Sequence, residues 1–320
     1  MTSPAQGSGV RLVQVTDAHD GQRIDNFLLG QLKGVPKSLI YRILRTGQVR
    51  LNGKRTKPDA RIADGDEVRI PPVRTAEPAA HGAPAPAQLE RMVQAIVYED
   101  RDFLVLDKPS GVASHGGSGI SFGAIELLRA ARPRDTLELA HRLDRDTSGV
   151  LVLTRRRSAL TALQNLIRDN ETTKQYLTLM QGRFRRATFD VNVALRKSVL
   201  QGGERMVRVD EAGKAALTRF RAIETFRDAT LAEVTLFTGR THQIRVHSAH
   251  SGHPIAGDEK YGNRDFNLRM REFGLHRLFL HAARFEFALG DRTYSFSAPL
   301  AAELRAVLNA LPRTTGNSAR

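Results

Sequence analysis

The sequence predicts an α+β protein: a mixed, largely antiparallel sheet domain over residues 92–312, preceded by a small basic α/β unit over 11–74. Three observations carry this. Short apolar runs, hairpin-like spacings and late helical patterns fill the C-terminal two thirds of the chain. Residues 11–74 hold two helical patterns, a hairpin signal and 13 basic against 7 acidic residues. Between the two lies 75–91, TAEPAAHGAPAPAQLER, an Ala/Pro-rich stretch with few large apolar residues that reads as a semi-extended linker.

In the N-terminal unit, Ile24, Phe27, Leu28 and Leu32 recur at helical spacing. Pro36 then starts a second helix, where its missing N–H does no harm, and Gly47 ends it. Ile40, Ile43 and Leu44 share one face of that helix. Val49 and Leu51 lead into Asn52-Gly53, the dipeptide best suited to a tight hairpin turn, and Val68 and Ile70 mark a closing strand. The second helix and the hairpin also carry Lys37, Arg42, Arg45, Arg50, Lys54, Arg55 and Lys57, a concentration of cations in one small unit. In the larger domain, strands are predicted at 96–98, 103–106, 150–154, 176–180, 217–223, 231–236 and 280–287, and helices at 121–131, 158–167, 243–250 and 300–311. Segment 184–213 has no readable register, and 1–10 and 313–320 read as disordered polar tails.

Composition narrows the function. Lys and Arg number 49 against 34 Asp and Glu, a net charge of +15 that points to an anionic partner, most simply nucleic acid. There is no Cys, which excludes disulfides, thiolate metal sites and a Cys nucleophile and fits a reducing cytoplasm. The first ten residues have neither a charged nor an apolar signal-peptide region, and no run of about 18 apolar residues is available to span a membrane.

The densest chemistry lies in His141-Arg142-Leu143-Asp144-Arg145-Asp146-Thr147-Ser148-Gly149, a polar segment leading directly into the apolar run VLVLT. Arg142 and Arg145 flank Asp144 and favour a carboxylate able to attack carbon. Asp146 suits a turn-forming role instead. A second cluster, Gly239-Arg240-Thr241-His242-Gln243-Ile244-Arg245-Val246-His247, opens a helix, and either of its arginines can pair with a carboxylate in bidentate geometry. His242, His247, His250 and His253 do not share one helical face and have no HExxH context, so no metal site is assigned, and His247 is expected to be packed or hydrogen-bonded. Gly116-Gly117-Ser118-Gly119 lacks the Gly-Lys-Ser/Thr ending of a phosphate loop and reads as a turn beside the cleft. Lys108 is left unassigned between an ion-pair role and the cleft wall.

LDKPSGV at 106–112, HRLDRDTSGVLVLTR at 141–155 and GRTHQIRVHSAHSGHPIAGDEKYG at 239–262 resemble the signature motifs of the RluA-type pseudouridine synthases, and 11–74 resembles an S4-type RNA-binding domain. The resemblance implies a pseudouridine synthase fold and a cofactor-free isomerase. Its substrate would be large-subunit (23S) ribosomal RNA or its precursor, bound by a monomer. It also implies that Asp144 is the nucleophile, that Tyr176 stacks on the uracil ring, and that Arg142 enters the RNA stack where the target base has flipped out. Arg245 would pair with the aspartate, with Arg240 the second choice. Taken as a plain strand aromatic, Tyr176 would instead belong to the core. The rival readings are a tRNA pseudouridine synthase, a metal-dependent hydrolase built on the histidines, and a non-catalytic S4-type RNA-binding protein.

Overall fold

The computed structural model describes residues 9–32, 35, 37–73, 83–117, 121–199 and 205–313. The chain divides into two compact units, Met1–Ala83 and Pro84–Arg320.

The first unit contains β1 (Arg11–Gln14), α1 (Ile24–Gln31), α2 (Lys37–Arg45), β2 (Arg50–Leu51), β3 (Lys54–Arg55) and β4 (Glu67–Ile70). The apolar faces of both helices meet in one core that includes Ile24, Phe27, Leu28, Ile40, Ile43 and Leu44. Asn52 (φ 49°) and Gly53 (φ 72°) make the hairpin turn their sequence announces. The expected closing strand, β4, is interior: the sheet order is β1-β4-β2-β3, with Arg11 of β1 opposite Ile70. The N-terminal strand eluded sequence reading because Leu12 is 62% exposed, so apolar alternation does not mark it. Pro36, the expected start of α2, lies outside the described residues.

The second unit begins with α3 (Pro86–Gln94), β5 (Ile96–Glu99), β6 (Phe103–Lys108), α4 (Ala124–Ala131), β7 (Glu138–Leu139), β8 (Ser148–Thr154) and α5 (Arg157–Arg168). Next come β9 (Thr172–Gln181), β10 (Thr188–Asn192), β11 (Leu195–Val199), β12 (Arg205–Val209), β13 (Leu217–Thr225) and β14 (Ala229–Leu236). The unit closes with α6 (Gln243–His250), α7 (Arg264–Glu272), β15 (Leu280–Leu289), β16 (Arg292–Ser297) and α8 (Ala302–Ala310). The linker expected to run to residue 91 gives way at Pro86 to α3, whose Met92 is fully buried against α4. Proline suits the first turn of that helix, which lacks N–H partners anyway. At the other end, Arg313 is still ordered, bridging to Phe226 and pairing with Glu224 at 3.3 Å.

A ten-stranded sheet dominates this unit, with the path β10-β13-β14-β9-β15-β8-β6-β5. Every pairing is antiparallel except β15 with β8, where His281 lies opposite Ser148. Its central strands are covered on both faces. In β6 and β8, Phe103, Val105, Val150 and Val152 pack against α5, while Leu104, Leu106, Leu151 and Leu153 pack against α3 and α4. That two-sided burial explains why these strands read as continuous apolar runs. The segment without readable register resolves into β10 at the sheet edge and a separate β11–β12 hairpin, apart from residues 200–204, which are not described.

The parallel pairing demands a glycine. Gly149 has φ 105°, and a Cβ there would stand 2.2 Å from the Ala282 carbonyl oxygen. Strain at positive φ and that clash together make Gly149→Ala cost about 3 kcal/mol or more. Denaturant unfolding should show a lowered midpoint, or no folded protein.

Candidate active site

The segment between β7 and β8 carries Asp144 and is fastened along its length to the loop after β6. Lys108, the last residue of β6, is fully buried and donates to three carbonyls: Pro109 (3.0 Å), Val112 (2.7 Å) and Arg145 (3.1 Å). Burial pulls its pKa down to about 7, but each of the three carbonyls needs one N–H, and only the ammonium form has three. The Ser114 hydroxyl donates to the Leu143 carbonyl at 2.8 Å and accepts from the Leu143 N–H at 2.9 Å. The Gly111 N–H reaches the Arg145 carbonyl at 2.9 Å, and the Ser110 hydroxyl reaches that of Asp146 at 2.7 Å. At the start of the segment the His141 ring stacks on Phe285 at 4.7 Å and accepts from the Val152 N–H. Its burial drives the imidazole pKa to about 3, so His141 is a neutral structural residue. Asp144 thus sits on rigid backbone, and its carboxylate is 28% exposed.

Arg245 is the cation that meets it. The α6 helix buries the Arg245 guanidinium, which forms a bidentate pair with Asp258, Nε and Nη2 each 2.8 Å from a carboxylate oxygen. Its remaining nitrogen, Nη1, lies 3.6 Å from Asp144 Oδ2. Burial works against the Arg245 cation, but Asp258 and then Asp144 outweigh it and raise its pKa. Burial likewise opposes the Asp258 carboxylate, yet Arg245 and the N–H groups of Tyr261 and Lys260 hold its pKa below the ordinary value. Arg240 plays no part in this pair: it is exposed and donates to the Ala215 carbonyl. The arginines adjacent in sequence turn away from Asp144 as well. Arg145 pairs with Asp146 at 3.0 Å, and the exposed Arg142 meets His115 Nε2 at 3.0 Å.

His242, which the sequence places in the second cluster without a role, has its Nε2 3.9 Å from Asp144 Oδ2. It caps α6 in the left-handed conformation (φ 53°), which turns the ring out of the helix. Its Nδ1 sits 2.8 Å from the Tyr261 hydroxyl, whose oxygen accepts from the Val207 N–H at 3.0 Å. The Tyr261 hydroxyl keeps its proton for donation, and a bond from it to Nδ1 would leave the proton of the neutral ring on Nε2, toward Asp144. Burial lowers the His242 pKa against the opposing pull of Asp144, so the ring is neutral at pH 7. The tyrosine also stacks on the Arg245 guanidinium, 5.0 Å from ring centroid to cation. The other histidines scatter: His247 bonds Thr218 and the Val193 carbonyl, as a packed helix residue should, and His253 bonds the Gln181 carbonyl. Among the described residues no His, Asp or Glu group has metal-binding geometry.

Asp144, His242 and Arg245 open onto a cavity of about 1190 Å³, whose lining also includes Asp107, Ser148 and Arg277. Tyr176, in the middle of β9, lies half-buried between the two apolar clusters that flank the sheet here and does not line that cavity. Burial, and then the charge of Asp144, push the Tyr176 phenol upward, so it keeps its proton at neutral pH. In the N-terminal unit, Arg42, Arg45, Lys54, Arg55 and Lys57 are all exposed and have no carboxylate partner among the described residues, while Lys37 opens α2. Residues 118–120 of the glycine-rich turn lie outside the described set. The helices described are too short or too polar to cross a membrane.

A basic S4-like unit in the same chain as a sheet domain that sets Asp144 beside a buried arginine over a large polar cavity points to an RNA-modifying enzyme. Residues 102–250 match the family described as RNA pseudouridylate synthase, and residues 22–68 match the S4 domain. The chain belongs to the RNA pseudouridylate synthases of the RluA type, which are isomerases. It is 51% identical over 308 residues to ribosomal large subunit pseudouridine synthase C of Yersinia pestis, covering 94% of this chain and 96% of that protein. The enzyme of the same name from Escherichia coli K12 is 53% identical over 282 residues, or 87% and 88% of the two chains. Among solved structures, human RNA pseudouridylate synthase domain containing 1 matches with a TM-score of 0.55 at 26% identity, covering 64% of this chain and 82% of that one.

Removing one partner of the buried Arg245–Asp258 pair strands a desolvated charge. Asp258→Asn should therefore cost about 3–5 kcal/mol in denaturant unfolding at pH 7. Because the folded Asp258 pKa is depressed, its stabilisation is complete above about pH 4 and is lost as pH falls from there through the folded value. Wild type should lose stability in that acid range, and Asp258→Asn should lose less of it.

Proposed function

We propose that this chain converts specific uridines of large-subunit (23S) ribosomal RNA to pseudouridine, with Asp144 as nucleophile and no cofactor. The observation that carries the reading is the Asp144 carboxylate, held on stapled backbone 3.6 Å from a buried arginine and open to a cavity wide enough for a nucleotide. The reaction breaks the uracil N1–C1′ bond, turns the detached base and forms a C5–C1′ bond, after which the C5 proton leaves and N1 gains one. Substrate and product have the same atoms, so no redox or group-transfer reagent is required. A carboxylate and a pocket that retains the free base suffice.

The target base must leave its stack, which costs a few kcal/mol. Arg142, exposed and, among the described residues, tied only to His115, is suited to fill the space it leaves. Tyr176 does not line the cavity as it stands but lies near enough to feel the Asp144 charge, so it would stack on the uracil ring once the base enters beside Asp144, and its protonated phenol does not suit it to take the C5 proton. Arg42, Arg45, Lys54, Arg55 and Lys57, without a carboxylate partner among the described residues, supply phosphate contacts in which ion release drives binding. The relatives' names, which specify the ribosomal large subunit, favour that RNA over tRNA.

Large-subunit RNA from cells carrying wild type or Asp144→Ala, treated with carbodiimide and mapped by reverse transcription, tests the proposal. Specific stops should vanish in the mutant, while the purified mutant still binds the RNA. Persistence of every stop would overturn the assignment of substrate or nucleophile, and the same mapping of tRNA would show whether tRNA is the substrate. A pure binding protein would leave both RNAs unchanged.

A further inference from the structure

Beyond β9 the chain makes a short loop, Gly182-Arg183-Phe184-Arg185-Arg186-Ala187, before β10. Its three arginines line a second cavity of about 460 Å³ together with Phe189, Ser251 and His253. None of its lining residues lines the Asp144 cavity. The loop is held at both ends: the Gly182 N–H donates to the Asp228 carbonyl, the Thr230 hydroxyl donates to the Gly182 carbonyl, and the Ala222 N–H donates to the Ala187 carbonyl. Phe184 packs edge-on against Phe189 at 5.0 Å and against His253 at 4.9 Å, so the loop has an aromatic underside.

Three exposed arginines within four residues repel one another and need a reason to be there. Nearby carboxylates do not supply one. Asp190 is taken by Arg219 at 2.8 Å and Glu233 by Arg221 at 2.9 Å, and no described carboxylate lies within 4 Å of Arg183, Arg185 or Arg186. His253 donates from Nδ1 to the Gln181 carbonyl, which leaves Nε2 without a partner among the described residues. The half-buried Phe189 adds an aromatic ring to the cavity wall. Unpaired arginines beside an aromatic ring match the two chemical features of a nucleic-acid strand, its phosphates and its bases.

Position supports that match. Tyr176 and Gln181 lie on the same strand, so the loop begins about 17 Å from Tyr176 at ~3.3 Å per residue. A nucleic-acid strand that rises about 3.4 Å per nucleotide covers that distance in roughly five nucleotides.

We propose that Arg183, Arg185 and Arg186, with Phe189 and His253, form an RNA-docking surface of the catalytic unit that holds the backbone of the substrate RNA several nucleotides from the modified uridine. This rests on the reading of the substrate as large-subunit RNA. The test compares the full chain with two variants, Arg183→Ala/Arg185→Ala/Arg186→Ala and the charge-retaining Arg183→Lys/Arg185→Lys/Arg186→Lys. The probe is unmodified large-subunit RNA transcript, with binding measured across a salt series and pseudouridine formation at saturating and limiting RNA. The alanine variant should bind about tenfold more weakly at physiological salt, with the slope of log affinity against log salt reduced by about 2, as expected for three lost phosphate contacts on a single strand. Its rate at saturating RNA should match wild type, and the lysine variant should keep most of the slope. Unchanged affinity and slope in the alanine variant would overturn the inference, as would an affinity loss of equal size in both variants with no change of slope. If wild type forms no pseudouridine in this RNA, the substrate reading fails, and the salt slopes still decide whether the surface binds RNA.

Discussion

Burying a guanidinium removes a cation from water, at a cost of several kcal/mol unless carboxylates and hydrogen bonds compensate. Arg245 meets that condition with Asp258, which takes two of its nitrogens in bidentate geometry while itself accepting N–H groups from Lys260 and Tyr261. The pair is complete without Asp144. The third nitrogen is therefore a fixed positive charge aimed into the cavity, and Asp144 approaches it at 3.6 Å without becoming a tight structural ion pair. Had Asp144 been the only counter-charge, neutralising the buried arginine would have held it in place. The second carboxylate leaves Asp144 free of that structural duty.

That division depends on rigid backbone on both sides. On the Asp144 side, the Lys108 ammonium and the hydroxyls of Ser110 and Ser114 gather the carbonyls of Val112, Leu143, Arg145 and Asp146 from two loops. On the Arg245 side, Gly257 has φ 74°, and a Cβ there would stand 2.0 Å from the Arg277 carbonyl, so the turn leading to Asp258 packs backbone on backbone. Preorganisation of this kind places charge before substrate arrives, so little reorganisation remains for the chemical step.

The sheet and its central strands were legible because burial on both faces writes an unbroken apolar run, as in FLVL and VLVLT. The aspartate was legible because a dense polar segment entering such a strand has few purely structural uses. Its electrostatic partner, Arg245, was legible through the family motif and not through sequence neighbourhood. Sequence neighbourhood favours Arg142 and Arg145, but residues adjacent in an extended segment diverge, and both side chains point elsewhere. Asp258 lies thirteen residues from Arg245, past the end of α6, and no periodicity connects them. His242 reaches the site only through a left-handed backbone conformation, which composition does not signal for a histidine. The early end of the linker at Pro86 was missed because 86–94 has a modest apolar stripe, Leu89 and Met92, which gains meaning only against α4.

Net charge, the first hint of an RNA partner, acquires a sharper meaning once the ion pairs are known. Much of the excess of basic residues is local, because many arginines of the catalytic unit are engaged: Arg132 and Arg155 share Glu99 and Asp135, and Arg219, Arg221 and Arg277 each hold an acid. Exposed pairs of this kind contribute little stability, typically under about 1 kcal/mol, but they do cancel local field. The field that an approaching polyanion meets comes from the cations left over. Among the described residues these cluster on α2 and the hairpin of the N-terminal unit, and on the loop after β9 in the catalytic unit. Affinity for RNA therefore follows the placement of unpaired arginines and lysines rather than the total of +15, and substituting a paired arginine elsewhere on the surface changes the total without changing the binding surface.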